Sequence, residues 1–206
     1  MEGADPMSIF LPAPLLLVWV GTIGVGIAGH TIKDVIESFK AVPPRALMSK
    51  VPPDPTTTVD TLVELADRAR REGLLALEDA AKDIDDPFLR GGLQAAIDGT
   101  DPDDLRMILE DKIATKRARE KTHSKYFQDM GGYAPTIGII GTVISLVHVL
   151  ENLSDPSSLG RSIAAAFVAT LWGGILSANV VWLPLGTRIK RFSDLECAQM
   201  EVTLEG

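Results

Sequence analysis

The chain has 206 residues, 46% hydrophobic and 23% charged, with a formal net charge of −8. That acidity argues against nucleic acid as a partner, since neutralising phosphates needs a basic surface. The single cysteine, Cys197, rules out an intrachain disulfide and reads as a structural thiol. The mean hydropathy of +0.16 hides a split. Residues 51–130 hold 12 Lys/Arg and 18 Asp/Glu, leaving only 8 of the 20 basic and 10 of the 28 acidic residues elsewhere. A water-soluble segment of some 80 residues is thus set among membrane-like runs.

Residues 7–29 form the first uncharged run. A signal peptide would need a basic n-region, but Glu2 and Asp5 precede the run with no Lys or Arg, and the run is too long for an h-region. A transmembrane helix is expected instead, with Pro12 and Pro14 near its start and Gly21, Gly24 and Gly26 forming a small face for close packing. Lys33, Lys40, Arg45 and Lys50 follow, which puts this end on the cytoplasmic side and the N-terminus outside. An amphipathic stretch over 32–41 leads to a stiff break at Pro43, Pro44, Pro52, Pro53 and Pro55.

Residues 56–130 read as a helical cytoplasmic domain. Val59, Leu62, Val63 and Leu65 recur at near-helical spacing, with Glu64 and Asp67 four residues before Arg68 and Arg71. Gly73 interrupts, a short helix covers 74–84, and Asp86–Pro87 opens another to Ile97. From Pro102 a helix is expected to about Met130, with Leu105, Ile108, Leu109 and Ile113 as its apolar stripe. Asp101, Asp103 and Asp104 lack the spacing of a calcium loop and read as N-cap and first-turn charge.

Two further runs, 131–150 and 162–187, contain no Asp, Glu, Lys or Arg. Each exceeds or matches the roughly 20 residues that cross a bilayer, and eleven residues join them. Lys116, Arg117, Arg119, Lys121 and Lys125 precede the pair and Arg188, Lys190 and Arg191 follow it, which again puts both inner ends in the cytoplasm. The expected fold is all-α: a polytopic membrane protein with three transmembrane helices and a helical cytoplasmic domain. Its divisions are 1–30 (span), 31–130 (cytoplasmic domain), 131–153 (span), 154–161 (outer loop), 162–187 (span) and 188–206 (cytoplasmic tail).

Gly138, Gly141, Thr142, Ser145 and His148 fall on one face of the first run of the pair, and Ala166, Thr170, Gly173 and Ser177 on one face of the second. Close packing of small residues accounts for most of this, with hydroxyls bonded to their own i−4 carbonyls. Thr142 and Thr170 facing one another would also line a polar track for a cation or water. No carboxylate lies in the three runs, and His148 is near an outer end. An ionisable group for proton passage would therefore come from another chain. Pro135 and Pro184 sit near the inner ends of the two runs, where proline is tolerated as a terminator or serves as a hinge. Enzymatic chemistry finds no support. No Ser/His/Asp or Cys/His cluster, metal-ligand spacing or phosphate-cradling loop occurs, so no catalytic residue, resident metal or cofactor is expected.

The segment GYAPTIGIIGT (132–142) resembles the third helix of the MotA flagellar stator A subunits, and LSDPSSLG (153–160) resembles their outer loop. ATLWG (169–173) through Asn179 to LPL (183–185) is similar to their fourth helix, and FLPAP (10–14) with VGTIG (20–24) to their second. This family lies within the wider MotA/TolQ/ExbB proton-channel family. The resemblance implies an inner-membrane ring, pentameric in the family, around a peptidoglycan-anchored, MotB-like B subunit. Proton or sodium flow past a B-subunit aspartate would then drive torque on the rotor protein FliG. It further implies ion-pathway roles for Thr142 and Thr170, hinge roles for Pro135 and Pro184, and rotor contact by Arg70 and Glu78 in RREGLLALE (70–78). Threonine at the position of Thr142 is associated in the family with sodium, alanine with protons. The family has four spans, so Met1 is expected to be an internal methionine after a first helix, and 192–206 resembles only the start of a C-terminal helix. A TolQ/ExbB-type energiser with a TolR/ExbD-like partner, and a non-transporting scaffold, are the alternatives.

Overall fold

A computed structural model describes residues 6–42, 55–154 and 156–205 of the chain. The proline-rich break over 43–54, with Arg45 and Lys50, and Asp155 of the outer loop lie outside the described residues. The described residues are mostly helical, with no strand among them. The helices are α1 (Pro12–Ala28), α2 (Ile32–Ala41), α3 (Pro55–Glu72), α4 (Leu77–Lys82), α5 (Pro87–Ile97), α6 (Pro102–Glu151), α7 (Pro156–Thr170) and α8 (Leu183–Glu205). Between α7 and α8 the helix continues without a break but widens to π geometry over Leu171–Trp182. Two compact units divide the chain: residues 1–48 with 122–189, and residues 49–121 with 190–206.

The first unit contains the apolar runs. Helix α1 starts on Pro12 at its first position and spans 17 residues, about 25 Å at ~1.5 Å per residue. A turn of 3-10 helix, Pro6–Ile9, precedes it and is tied down by Trp172 Nε1 donating to Ile9 O at 2.8 Å. Two longer helical stretches, Pro102–Glu151 and Leu159–Glu205, are long and apolar enough to cross a membrane. Val35, Tyr126, Phe127, Met130, Ala134, Ala178, Trp182 and Ile189 form the buried core. Its rings meet edge to face, Trp19 on Trp182 at 5.3 Å and Phe39 on Phe127 at 5.6 Å, an arrangement that adds attraction beyond burial.

In the second unit the caps follow from the sequence. Asp86 Oδ1 accepts from Phe88 N at 2.8 Å, and Pro87 fills the position where a missing N–H costs nothing. Helix α5 ends with Thr100 N donating to Ala95 O and Gly99 N to Ala96 O, with Gly99 at φ 82°. That crossed pair needs a left-handed residue, which glycine supplies. Asp101 Oδ1 accepts from Asp103 N at 2.9 Å, so the acidic cluster caps α6. Leu77, Ala81, Leu89, Leu109, Ile113 and Cys197 are buried here.

Three expectations are revised. Pro135 lies inside a continuous 50-residue helix rather than at a helix end. The helix carries through the missing Pro135 N–H between the buried residues Ala134 and Ile137. Pro184 likewise lies within an unbroken helical stretch, in the first turn of α8 after the π segment. Arg68 pairs forward with Glu72 at 3.4 Å instead of back to Glu64.

Candidate functional site

Helix α6 and the α7–π helix meet through backbone. A Cβ added at Gly173 would stand 2.7 Å from Ala134 O and 2.7 Å from Gly138 Cα. One added at Gly138 would meet Ala169 O at 3.0 Å, and one at Gly141 would meet Ala169 Cβ at 2.9 Å and Leu17 Cδ2 at 2.8 Å. Such closeness is available only to residues without side chains, and it is how helices associate where no hydrophobic force separates protein from lipid. The approach brings Thr142 Oγ1 to 2.6 Å from Thr170 Oγ1. Thr142 Oγ1 also donates toward Gly138 O at 3.1 Å and Ala166 O at 3.2 Å, and Thr170 Oγ1 toward Ala166 O at 3.4 Å.

The proton count of this group matters. Two hydroxyls carry two hydrogens and four lone pairs. One hydrogen is used between the threonines and the other on a carbonyl, so lone pairs remain unfilled. Thr142 is half-buried and Thr170 exposed, so those oxygens have an open side. Hydroxyl and carbonyl oxygens suit a hard cation or water. Neither threonine titrates near neutrality, so the pair can position an ion but cannot by itself accept a proton.

Of the two sequence stripes, Ala166, Gly173 and Ser177 are buried together with Ala169, which takes the packing role. Thr170 stands at the edge of that face. Ser177 Oγ bonds back to Gly173 O at 3.3 Å, as small hydroxyls do in apolar helices. His148 is exposed at the far end of α6, beside Asn152 and Glu151. Pro135 is one turn from Gly131, and Gly131 packs under Leu183, the residue before Pro184; a Cβ there would meet Leu183 Cγ at 2.6 Å. The two prolines therefore flank one helix contact. Arg70 and Glu78 are exposed and belong to the second unit. They do not share a helix face, because Gly73 at φ 84° follows the end of α3 and Glu78 lies in α4, which begins at Leu77.

Sequence reasoning passed over two features of the first unit. Ser124 Oγ donates to Gly186 O at 2.7 Å, clamping α6 to α8, and a Cβ on Gly186 would meet Ser124 O at 2.9 Å. His30 and Asp129, remote in sequence, face one another at 3.5 Å. An isolated serine or histidine carries no periodic signal, so neither was legible in the chain.

The family model described as "MotA/TolQ/ExbB proton channel family" matches residues 80–202. The chain belongs to this family. It is 35% identical to motility protein A of Bacillus subtilis (strain 168) over 212 residues, covering 100% of this chain and 76% of that protein. It superposes on the flagellar MotAB stator complex from Bacillus subtilis with a TM-score of 0.86 at 34% identity, over 100% of this chain and 80% of that one. Against C. jejuni MotAB the TM-score is 0.89 at 26% identity, over 99% and 79%. Some curated relatives are matched over only 54–57% of their length. The all-helical membrane fold and a channel rather than an enzymatic role follow from this membership.

Proposed function

We propose that the chain is the A subunit of a flagellar motor stator, a multi-pass protein of the bacterial inner membrane. With a MotB-like, peptidoglycan-anchored B subunit it forms an ion pathway, and ion flow becomes torque on the rotor protein FliG. The observation that carries the ion-pathway reading is the Thr142–Thr170 hydroxyl pair at 2.6 Å, set beside the Gly138 and Ala166 carbonyls in two apolar runs, 131–150 and 162–187, that contain no acid. Such a wall needs a carboxylate from a second chain to complete it, which is the part a B subunit supplies in this reading. The homo-oligomeric ring has the same logic, since one copy lines only part of a conduit. Relatives described as motility proteins favour the stator over a TolQ/ExbB-type energiser.

The cargo is a proton or sodium; both are compatible with neutral oxygens, and no resident cofactor is involved. Thr142→Val and Thr170→Val keep volume and remove the oxygen. With assembly intact, each is expected to abolish or strongly reduce ion-driven rotation, while the serine variants retain it. Unimpaired rotation in both valine variants would overturn the assignment. Pro135 and Pro184 act in this reading as hinges beside the Gly131–Leu183 contact. Arg70 and Glu78 are proposed as rotor contacts, where exposed charges set orientation and rate of encounter. Motility that survives Arg70→Glu together with Glu78→Lys would remove that role.

A further inference from the structure

One amide stands exposed within the apolar run 162–187. Asn179 donates from Nδ2 to Gly174 O at 2.6 Å, and its Oδ1 has no hydrogen-bond partner among the described residues. Turning the amide over would set two oxygens against each other, so this orientation is the one the contact requires. An amide oxygen left in hydrocarbon would go unsatisfied. Polar side chains at membrane depth therefore turn to the bundle interior or to a water-filled cavity.

The π segment decides which face carries that amide. Its buried residues are Gly173, then Ser177 and Ala178, then Trp182, so one turn takes about 4.5 residues instead of the ~3.6 of an α-helix. Asn179 follows Thr170 by nine residues. In α geometry that is about two and a half turns, which would put the two on opposite faces. Here it is two turns, and they share one face. Gly174 lies between them on the same line, with nothing within 4 Å of a Cβ placed there. On α6, Pro135 precedes Thr142 by seven residues, two α turns, and so shares its face. The Gly131–Leu183 and Gly138–Gly173 contacts bracket Pro135 and Asn179 at one level of the antiparallel pair. Pro135 has no N–H, which leaves the Gly131 carbonyl without its helical donor.

We propose that Asn179, with the carbonyl that Pro135 releases, forms a second oxygen site on the ion pathway, two helical turns from the threonine pair on the side toward α8. The step between the two sites is the same on both helices, because the wider turn of the π segment keeps nine residues in phase with seven. A cation leaving the threonine hydroxyls meets an amide oxygen and a carbonyl oxygen, ligands of the neutral, hard kind it has just left. A proton crosses the same interval on water held between the two groups, since an amide takes no proton near neutrality. The inference deepens the ion-pathway reading and rests on it.

Two measurements on the full chain, produced with its B subunit in cell membranes, test it. The first is rotation speed of tethered cells at equal membrane levels of protein. Asn179→Leu keeps volume and removes the amide, and is expected to slow rotation severalfold. Asn179→Gln, which restores an amide, is expected to recover most of the speed. Wild-type speed in Asn179→Leu, while Thr142→Val and Thr170→Val stop rotation, overturns the second site and leaves the threonine reading standing. The second measurement needs no rotation. With Cys197, the one native thiol, changed to alanine, a charged and membrane-impermeant thiol reagent is applied from the α8 side of inverted membranes. Asn179→Cys is expected to react, because a wetted thiol can ionise, and Val180→Cys, its exposed neighbour off that line, to stay unmodified. Equal protection of the two thiols shows that Asn179 faces no water, and overturns the proposal whatever the ion-pathway tests return.

Discussion

Gly173→Ala is the sharpest test of how the threonine pair is held. The new Cβ would stand 2.7 Å from Ala134 O, 2.7 Å from Gly138 Cα and 3.0 Å from Gly138 N. All three are backbone atoms, so no side chain can swing aside. Restoring ordinary carbon contacts of about 3.5–4.0 Å requires the helices to part by roughly 1 Å. Overpacking of this kind costs about 1–3 kcal/mol, here toward the upper end because neither side yields. Replacing a helical glycine by alanine returns about 1 kcal/mol, so the net loss is about 2 kcal/mol, or a Tm lower by about 4–8 °C for a chain this size. The same separation would carry the threonine hydroxyls from 2.6 Å to beyond hydrogen-bonding distance. Gly174→Ala is the matched control, since nothing lies within 4 Å of a Cβ there. Thermal unfolding in detergent, followed by circular dichroism, measures both. If Gly173→Ala melts with or above Gly174→Ala, the helices are not in backbone contact at this point and the argument for the pair's geometry fails.

Two predictions concern the second unit. Lys116 bonds both Glu120, whose side chain is only 5% exposed at 3.1 Å, and Glu196. Lys116→Met should therefore cost about 2 kcal/mol by denaturant unfolding, less than a fully buried pair because the lysine and Glu196 remain partly solvated. Glu196→Gln, which keeps the lysine on Glu120, should cost less, and an equal loss would argue against Lys116 acting through Glu120. Asp79 is held below the usual carboxylate range by the hydrogen bond and charge of Lys82, with Arg68 adding a smaller attraction. Since the folded value is the lower one, the contribution is present above the unfolded value and fades as pH falls through the folded one. Lys82→Met should move the Asp79 carboxyl titration upward by NMR, and an unmoved titration would show that the pair at 2.8 Å does not persist in solution.

Much of this was legible in the chain because it depends on local chemistry. Asp86 before Pro87 and Asp101 before Pro102 are caps by residue type alone, and Gly99 must be left-handed to close α5. The threonine pair was legible as two small-residue stripes, but the stripe does not say which residue makes contact. Gly173 and Ala169 take the packed position and leave Thr170 at the rim, a distinction set by how the two helices cross. Pro135 misleads for a related reason. Proline is penalised in a helix interior when judged locally, yet α6 runs from Pro102 to Glu151 through it. The tertiary contacts of Ala134, Ile137 and Gly138 on either side outweigh the loss of one backbone bond. His30 and Asp129 lay beyond reach, since nothing periodic joins residues so far apart.

The backbone around the threonine pair is irregular in both helices, and at the same end. In α6 the ladder loses a donor at Pro135, one turn before Gly138. In the partner helix π geometry begins at Leu171, the residue after Thr170, and lasts to Trp182. The helices run in opposite directions, so both defects lie on the side where Gly131 meets Leu183. A helix with a full bond ladder moves as a rod, whereas one missing bond or one widened turn lets it bend at a point. The glycine contact fixes how near the two hydroxyls come, and in the proposed hinge role the defects beside it would let the segments beyond turn without breaking that contact. Under the stator reading this is the arrangement a coupling device needs: a fixed oxygen pair at the ion, and two adjacent hinges through which occupancy of that pair reaches the rest of the helices.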